Sequence, residues 1–433
     1  MEKILDQAQK VAEAAEVFLV SSEETPVQFE ADRLKYIQSK QSRSAALRII
    51  RRGKIGYSVT TNLDDVQSLV DASVETAQFG MQAKFEFPAP TSYPQVDTYD
   101  PEVESVSLEQ MIGHGEEMIA TVKEHTPDIL CEAGVTKSIV SVNIMNSRGN
   151  KASYRKSIFS LGISGSLIRG TDMLFVGESE ISCHPITTTR AVTDIVIKQL
   201  ERAKGRASVL SQPMPVIFTP DGVMSALISP LMAAFNGKTV LEGASPIGNS
   251  LGKPVFDSKF WLWDDATIAY RPGSRPFDDE GVASRRTPLI EAGTVASFLY
   301  DLQTAALANT QSTGNGRRPG GGLPTPSPSA FIIQPGDTSF DDMLADIKEG
   351  LIIEYLMGAE QGNILGGDFS GNILLGYKVE SGKIVGRVKD TMVSGNVYQV
   401  LKQIIAIGSD AKWVGGFLNS PSLYCPSLSV ASK

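Results

Sequence analysis

The sequence predicts an α+β protein of two domains: an N-terminal helix and antiparallel-sheet domain over residues 1–206, and a C-terminal strand-rich mixed domain over residues 207–433. Three observations lead there. A chain of 433 residues exceeds what one ordinary hydrophobic core organises. Strand-like runs outnumber helical ones. The connections between them are short, which favours largely antiparallel sheets.

Composition narrows the function classes. Hydrophobic residues make up 42% and charged residues 21%, as in an ordinary globular protein. A net charge of −9 and a pI near 5.1 argue against direct nucleic-acid binding driven by phosphate attraction. No apolar run approaches the ~18 residues of a membrane span. The acidic, amphipathic start MEKILDQAQKVAEAAE lacks the pattern of a signal peptide. Three scattered cysteines, Cys131, Cys183 and Cys425, form neither a disulfide framework nor a CxxC knuckle, which fits a cytoplasmic location.

In chain order, Ile4, Leu5, Ala8, Val11 and Ala12 give the first helix one apolar face, and Val17–Ser22 reads as a buried strand. Residues 47–59 alternate as a hairpin around Arg51-Arg52-Gly53-Lys54, a solvated turn or a steering patch for an acidic partner. Asn62-Leu63-Asp64 caps a helix with Val66, Leu69, Val70, Ser73 and Ala77 inward. Residues 84–107, with four prolines, form an extended crossing or linker. Ser107 and Gln110 make a capping box for a helix through about Lys123. His114 and His125 on or just past it are too far apart to share a metal, given the 1.5 Å rise per residue. Strands follow from Ile129 to Ser179. The adjacent Cys183 and His184 point to opposite faces of a strand, which disfavours a reactive dyad. A helix over about 190–204 closes the first domain.

The second domain is organised around Pro213–Gly243. Val216, Ile217 and Phe218 form a short buried strand, and Thr219-Pro220-Asp221 caps a helix running to Phe235 with a kink expected at Pro230. The polar side chains offered there are Ser225, Ser229 and Asn236; none is a metal ligand or general base of the usual kind. Gly237-Lys238-Thr239 and Gly252-Lys253 fail the phosphate-loop pattern, and no GxGxxG follows a strand. The acids Asp278, Asp279 and Glu280 could bind a hard cation, but the following Gly281 favours a solvated turn. Leu289–Tyr300 forms a hairpin turning at Glu291-Ala292-Gly293, and Asp301 caps a short helix. The stretch Gln311–Ser329, with five glycines and four prolines, reads as a long loop, either flexible or functional. In the functional reading Ser312, Thr313, Gly314 and Asn315 hydrogen-bond an extended peptide, while Arg317 and Arg318 clamp its carboxylate. A strand at Ala330–Asp337, a short helix at Phe340–Gly350, a strand at Leu351–Leu356, a hairpin turning at Ser381-Gly382 and a helix over Asn396–Ile407 complete the chain.

The segments SRSAALRIIRRGKIGYSVTTNLDD (42–65), FLYDLQTAALANTQSTGNGRR (298–318) and GLIIEYLMGAEQGNILGGDFSGNILLGYKVESGKIVGRVKDTMVSGNVYQVLKQIIAIGSD (350–410) resemble the TldD/PmbA family, once described as modulators of DNA gyrase. The resemblance spans nearly the whole chain in order. It implies two subunit types. TldD is a zinc peptidase whose HExxxH helix and a later cysteine hold the metal. TldE, or PmbA, lacks those ligands and pairs with TldD. The matching helix here, Asp221–Phe235, has no histidine or glutamate, and Cys425 lies nearer the end than the family cysteine. By resemblance the chain is similar to the TldE/PmbA branch: no catalytic or metal-ligating residue of its own, zinc only in a TldD-type partner, and a part in proteolysis of unfolded or extended peptides by lining the dimer chamber. The residues agree, since the second domain carries no imidazole and carboxylates with one isolated cysteine make a poor zinc set. Two alternatives stay open: a self-sufficient divalent-metal hydrolase using the 278–280 carboxylates, and a homodimeric peptide-binding protein without a peptidase partner.

Overall fold

A computed structural model describes residues 1–432. In the first half, α1 (Glu2–Ala8) leads into β1 (Ala14–Glu30), β2 (Arg33–Ile37), β3 (Lys40–Arg51) and β4 (Lys54–Thr60). Then come α2 (Val66–Phe79), α3 (Glu102–Ser105), α4 (Leu108–His125), the long strands β5 (Leu130–Asn146), β6 (Lys151–Arg169) and β7 (Asp172–Ser182), and α5 (Arg190–Arg202). The strands form one antiparallel sheet in the order β4-β3-β1-β5-β6-β7, with β2 pairing with the far end of β1. The cap of α2 is Asp65, one residue past the expected triplet. The capping box of α4 is as the sequence predicts, Ser107 and Gln110 each bonding the other's main chain.

The second half runs β8 (Met214–Phe218), α6 (Pro220–Ala226), α7 (Ile228–Phe235), α8 (Gly237–Leu241), β9 (Leu262–Asp265), β10 (Arg286–Glu291), β11 (Thr294–Val295) and α9 (Leu302–Leu307). It continues through β12 (Gly316–Arg317), β13 (Thr325–Pro326), β14 (Phe331–Ile333), α10 (Phe340–Asp346), β15 (Glu349–Met357), β16 (Asp368–Glu380) and β17 (Lys383–Arg387). It ends with β18 (Thr391–Asn396), α11 (Val397–Val400), β19 (Ala406–Ile407), β20 (Lys412–Val414), β21 (Leu418–Ser420) and β22 (Leu423–Ser432). One sheet is ordered β15-β8-β22-β18-β16-β17 and another β11-β10-β9-β14-β21-β20. Among the described strands, β8–β15 and β14–β21 pair in parallel and the others antiparallel. The α+β class and mostly antiparallel pairing match the sequence reading.

β8 sits between β15 and β22, and its alternating side chains serve two cores. Val216 and Phe218 pack with α6 and α7. Ile217 faces the other way, into a cluster shared with Ile352 and Tyr377 and with Phe159, Leu161 and Val196 of the first half. Each such buried side chain contributes about 1.5–3 kcal/mol, so the two halves hold one another through β8.

Two expectations are corrected. The helix after β8 is two helices, broken at Leu227 rather than at Pro230. Pro230 lacks the N–H that would bond Ala226, and its ring would clash with that carbonyl, so the break falls a turn upstream. The helix expected over Asn396–Ile407 stops at Val400, because Ala406 and Ile407 are drawn into β19 against Leu423 and Tyr424. The hairpin at Ser381-Gly382 is as read: φ of 48° and 74° suit a tight turn between β16 and β17.

Candidate functional site

The segment β8–α6–α7 is the one that the sequence resemblance sets against the HExxxH helix of the TldD type. Thr219 caps α6, its hydroxyl accepting from the Gly222 N–H at 3.3 Å, and Pro220 occupies the first turn. Gly222 is forced by packing, since a Cβ there would lie 2.2 Å from the Ile353 carbonyl oxygen. Ala226, Leu227 and Leu231 are buried and apolar. The Ser225 hydroxyl donates to the Gly222 carbonyl and accepts from the Leu356 N–H. Asn236 caps α8 and donates to the Pro326 carbonyl. These polar groups are spent on the scaffold.

A metal at this position would not fit the residues present. Cys425 lies beside Val216 on β22, and apolar burial pushes its thiol up to about 12, away from the thiolate a metal needs. The three histidines belong to the first half, each against a carboxylate: His114 near Glu117, His125 on Glu201 and His184 on Asp100. Among the described residues no group of three or more His, Cys, Asp or Glu side chains is disposed to hold an ion. Cys183 is buried, with its thiol raised to about 11 by burial, while the adjacent His184 is exposed.

The acidic triplet is not a solvated turn. Asp278, Asp279 and Glu280 are all buried, with Arg48 of the first half on Glu280, Arg317 and Arg318 of the second half on Asp279, and main-chain N–H groups on Asp278. Arg48 of β3 donates to Glu280 at 2.6 Å and lies 3.0 Å from Glu16 of β1, and Arg318 pairs with Glu16 as well. Glu280 also accepts from the Leu302 N–H at 2.7 Å, while Asp278 accepts the main-chain N–H groups of Glu280, Val282 and Gly316. Burial, and next the Glu280 carboxylate, push Asp278 up to about 8. Burial raises Glu16 against the pull of Arg48 and Arg318. Burial opposes the charge on Arg48, yet Glu16 and Glu280 hold its pKa above the usual value. Nearby, burial and then Arg317 lower Lys156 to about 7, with its ammonium donating to the Pro272 carbonyl. Nothing local in the sequence marks this cluster, whose partners lie up to 302 residues apart.

The stretch Gln311–Ser329 is tied down by bonds to Tyr300, Asp264 and that cluster. β12 pairs with β13. Thr313 bonds both main-chain groups of Tyr300, and the Ser312 hydroxyl donates to the Tyr300 carbonyl. The Gly314 N–H donates to Ser312. Asn315 is buried and donates to Asp264 at 2.6 Å. Arg318 gives its main-chain N–H to the Asp279 side chain and its Nε to the Asp279 carbonyl. Of the six residues named for a peptide clamp, Thr313, Gly314, Asn315 and Arg318 are buried, Ser312 is partly buried, and Arg317, about 3.8 Å from Asp279, is half-exposed.

The PmbA/TldA metallopeptidase C-terminal domain matches residues 211–432, and domain 1 of the same family matches residues 15–77. This chain belongs to the PmbA/TldD family. An uncharacterised protein of Methanocaldococcus jannaschii is 27% identical, with 98% of each chain covered. A protein of Methanothermobacter thermautotrophicus named a metalloprotease is 24% identical over 96% of this chain and 92% of its own. In fold, the chain superposes on the crystal structure of TldE from Thermococcus kodakarensis with a TM-score of 0.91, at 19% identity and with 100% of each chain covered. Among the described residues no helix is long and apolar enough to cross a membrane.

Proposed function

We propose that this chain is the TldE/PmbA-type, non-catalytic subunit of a two-component metallopeptidase. The observation that supports the reading is the segment Asp221–Phe235, which the resemblance sets against the HExxxH helix and which carries no histidine or glutamate, its inner side chains Ala226, Leu227 and Leu231 being buried and apolar. The chain contributes one wall of a chamber for unfolded or extended peptides, and zinc resides in a TldD-type partner. Peptides held through main-chain bonds are recognised with little sequence preference. The cysteine pattern fits a cytoplasmic setting. The carboxylate-hydrolase reading loses support because the 278–280 acids are occupied by Arg48, Arg318 and main-chain donors.

Affinity purification of the tagged chain from its native cells tests this. A stoichiometric partner carrying HExxxH is expected. Recovery of the chain alone or as a homodimer, under conditions that preserve other complexes, would overturn it.

A further inference from the structure

β7 is the last strand on its side of the first sheet. It pairs with β6 through Phe175↔Ser166, Gly177↔Ser164 and Ser179↔Gly162. In an antiparallel ladder every second residue turns its N–H and C=O away from the partner strand. Gly177 identifies the outward set. Its N–H donates to Oε1 of Gln199 at 2.9 Å, and its carbonyl accepts from Nε2 of the same side chain at 3.2 Å. Phe175 and Ser179 therefore also face outward. One carboxamide supplying a donor and an acceptor to one residue reproduces what a neighbouring strand would provide. Elsewhere on the edge Glu178 accepts from the Ser179 N–H and Arg387 donates to the Met173 carbonyl, while among the described residues no side chain bonds the outward main chain of Phe175.

A groove of about 650 Å³ runs beside this edge, with Phe175, Gly177 and Ser179 on one side and Glu354, Tyr355 and Leu375 of β15 and β16 on the other. Phe175 and Tyr355 are exposed apolar surface. Five carboxylates line the groove (Glu30, Glu132, Glu178, Asp221 and Glu354) and no lysine or arginine does. Lys35 pairs with Glu30, Lys412 with Glu178 and Asp221, and Arg202 with Glu354, all from outside the lining, so five carboxylates face three cations. Glu132 has no ion-pair partner among the described residues.

We propose that the outer edge of β7 docks an extended, cationic polypeptide segment as an added strand, and that the Gln199 carboxamide holds the place of its main chain until it binds. From Phe175 to Ser179 a strand advances about 13 Å, enough to pair with a segment of about five residues. Lysine or arginine side chains on that segment meet carboxylates, and the residues between them meet Phe175 and Tyr355. The inference rests on the chamber reading only for the class of occupant.

The test is fluorescence anisotropy on the full chain with a labelled hexapeptide of alternating lysine and valine. Saturable binding that weakens with salt is expected, with a glutamate–valine counterpart at least tenfold weaker. An N-methylated lysine–valine probe, which lacks main-chain donors, should lose at least tenfold, and this comparison needs no variant. Gln199→Ala should tighten binding several-fold. Phe175→Pro removes an outward N–H without touching the β6 ladder, as edge strands tolerate, and should weaken binding tenfold with an unchanged melting temperature. Equal binding of the methylated and plain probes, or no binding to either wild type or Gln199→Ala, would overturn the proposal. A TldD-type partner that still co-purifies in that case leaves the subunit reading standing, so the two fail separately.

Discussion

Arg318 and Glu16, 302 residues apart in the chain, form an ion pair from which water is excluded. The pair joins β1 of the first half to the glycine-rich stretch after α9 in the second, and Arg48 and Glu280 extend it. Such a cluster adds little net stability over apolar packing, but removing one member leaves a buried charge unmatched. Arg318→Ala should cost about 3–5 kcal/mol, read as a lowered urea midpoint. A loss below about 1 kcal/mol would show that the cluster does not hold the halves together.

Lys156 is a buried cation. Burial and Arg317 bring it to about 7 in the folded protein, against roughly 10.4 in the unfolded chain. Between those values the unfolded chain binds the extra proton, so this residue makes stability rise with pH from about 7 to 10.4. Lys156→Met should flatten that rise and raise stability at pH 6 by about 1–3 kcal/mol, as measured by denaturation across pH.

Asp278 acts with the opposite sign. Its folded value of about 8 exceeds the unfolded value of about 3.9. The folded chain then holds the extra proton, and the stability present below about pH 4 is lost as pH rises towards 8. Asp278→Asn removes this decline. It also puts an NH2 group in place of Oδ2, which accepts the Gly316 N–H, while Oδ1 keeps its bonds from Glu280 and Val282, so its stability at pH 5 should fall by about 1–3 kcal/mol.

Gly222→Ala tests the seat of α6. The added Cβ would meet the Ile353 carbonyl oxygen at 2.2 Å, forcing α6 off β15. Overpacking of this kind costs about 1–3 kcal/mol or more, and the melting temperature should drop accordingly.

Local signals in the sequence were enough for much of the fold. Ser107 with Gln110 and Asp301 with Thr304 cap their helices, and the apolar run Val216–Phe218 is the buried strand. Ser381-Gly382 makes its turn. These depend on neighbours a few residues away. The readings that failed depend on distant ones. Asp278–Glu280 looked solvated because Arg48 lies 232 residues from Glu280. The 396–407 helix was cut short by pairing with Leu423 and Tyr424. For the candidate site, the absence of histidine after His184 is visible in the sequence. The Gln199–Gly177 bonds that mark the β7 edge are not, because nothing in either segment shows that β7 ends a sheet.

Zinc analysis and peptidase assay of the purified chain, alone and after co-expression with a TldD-type subunit, test the central claim most directly. The account predicts no bound zinc and no cleavage for the chain alone, and zinc-dependent cleavage by the pair that is lost when the partner's HExxxH histidines are replaced. One zinc per chain together with peptide cleavage by the isolated protein would contradict it.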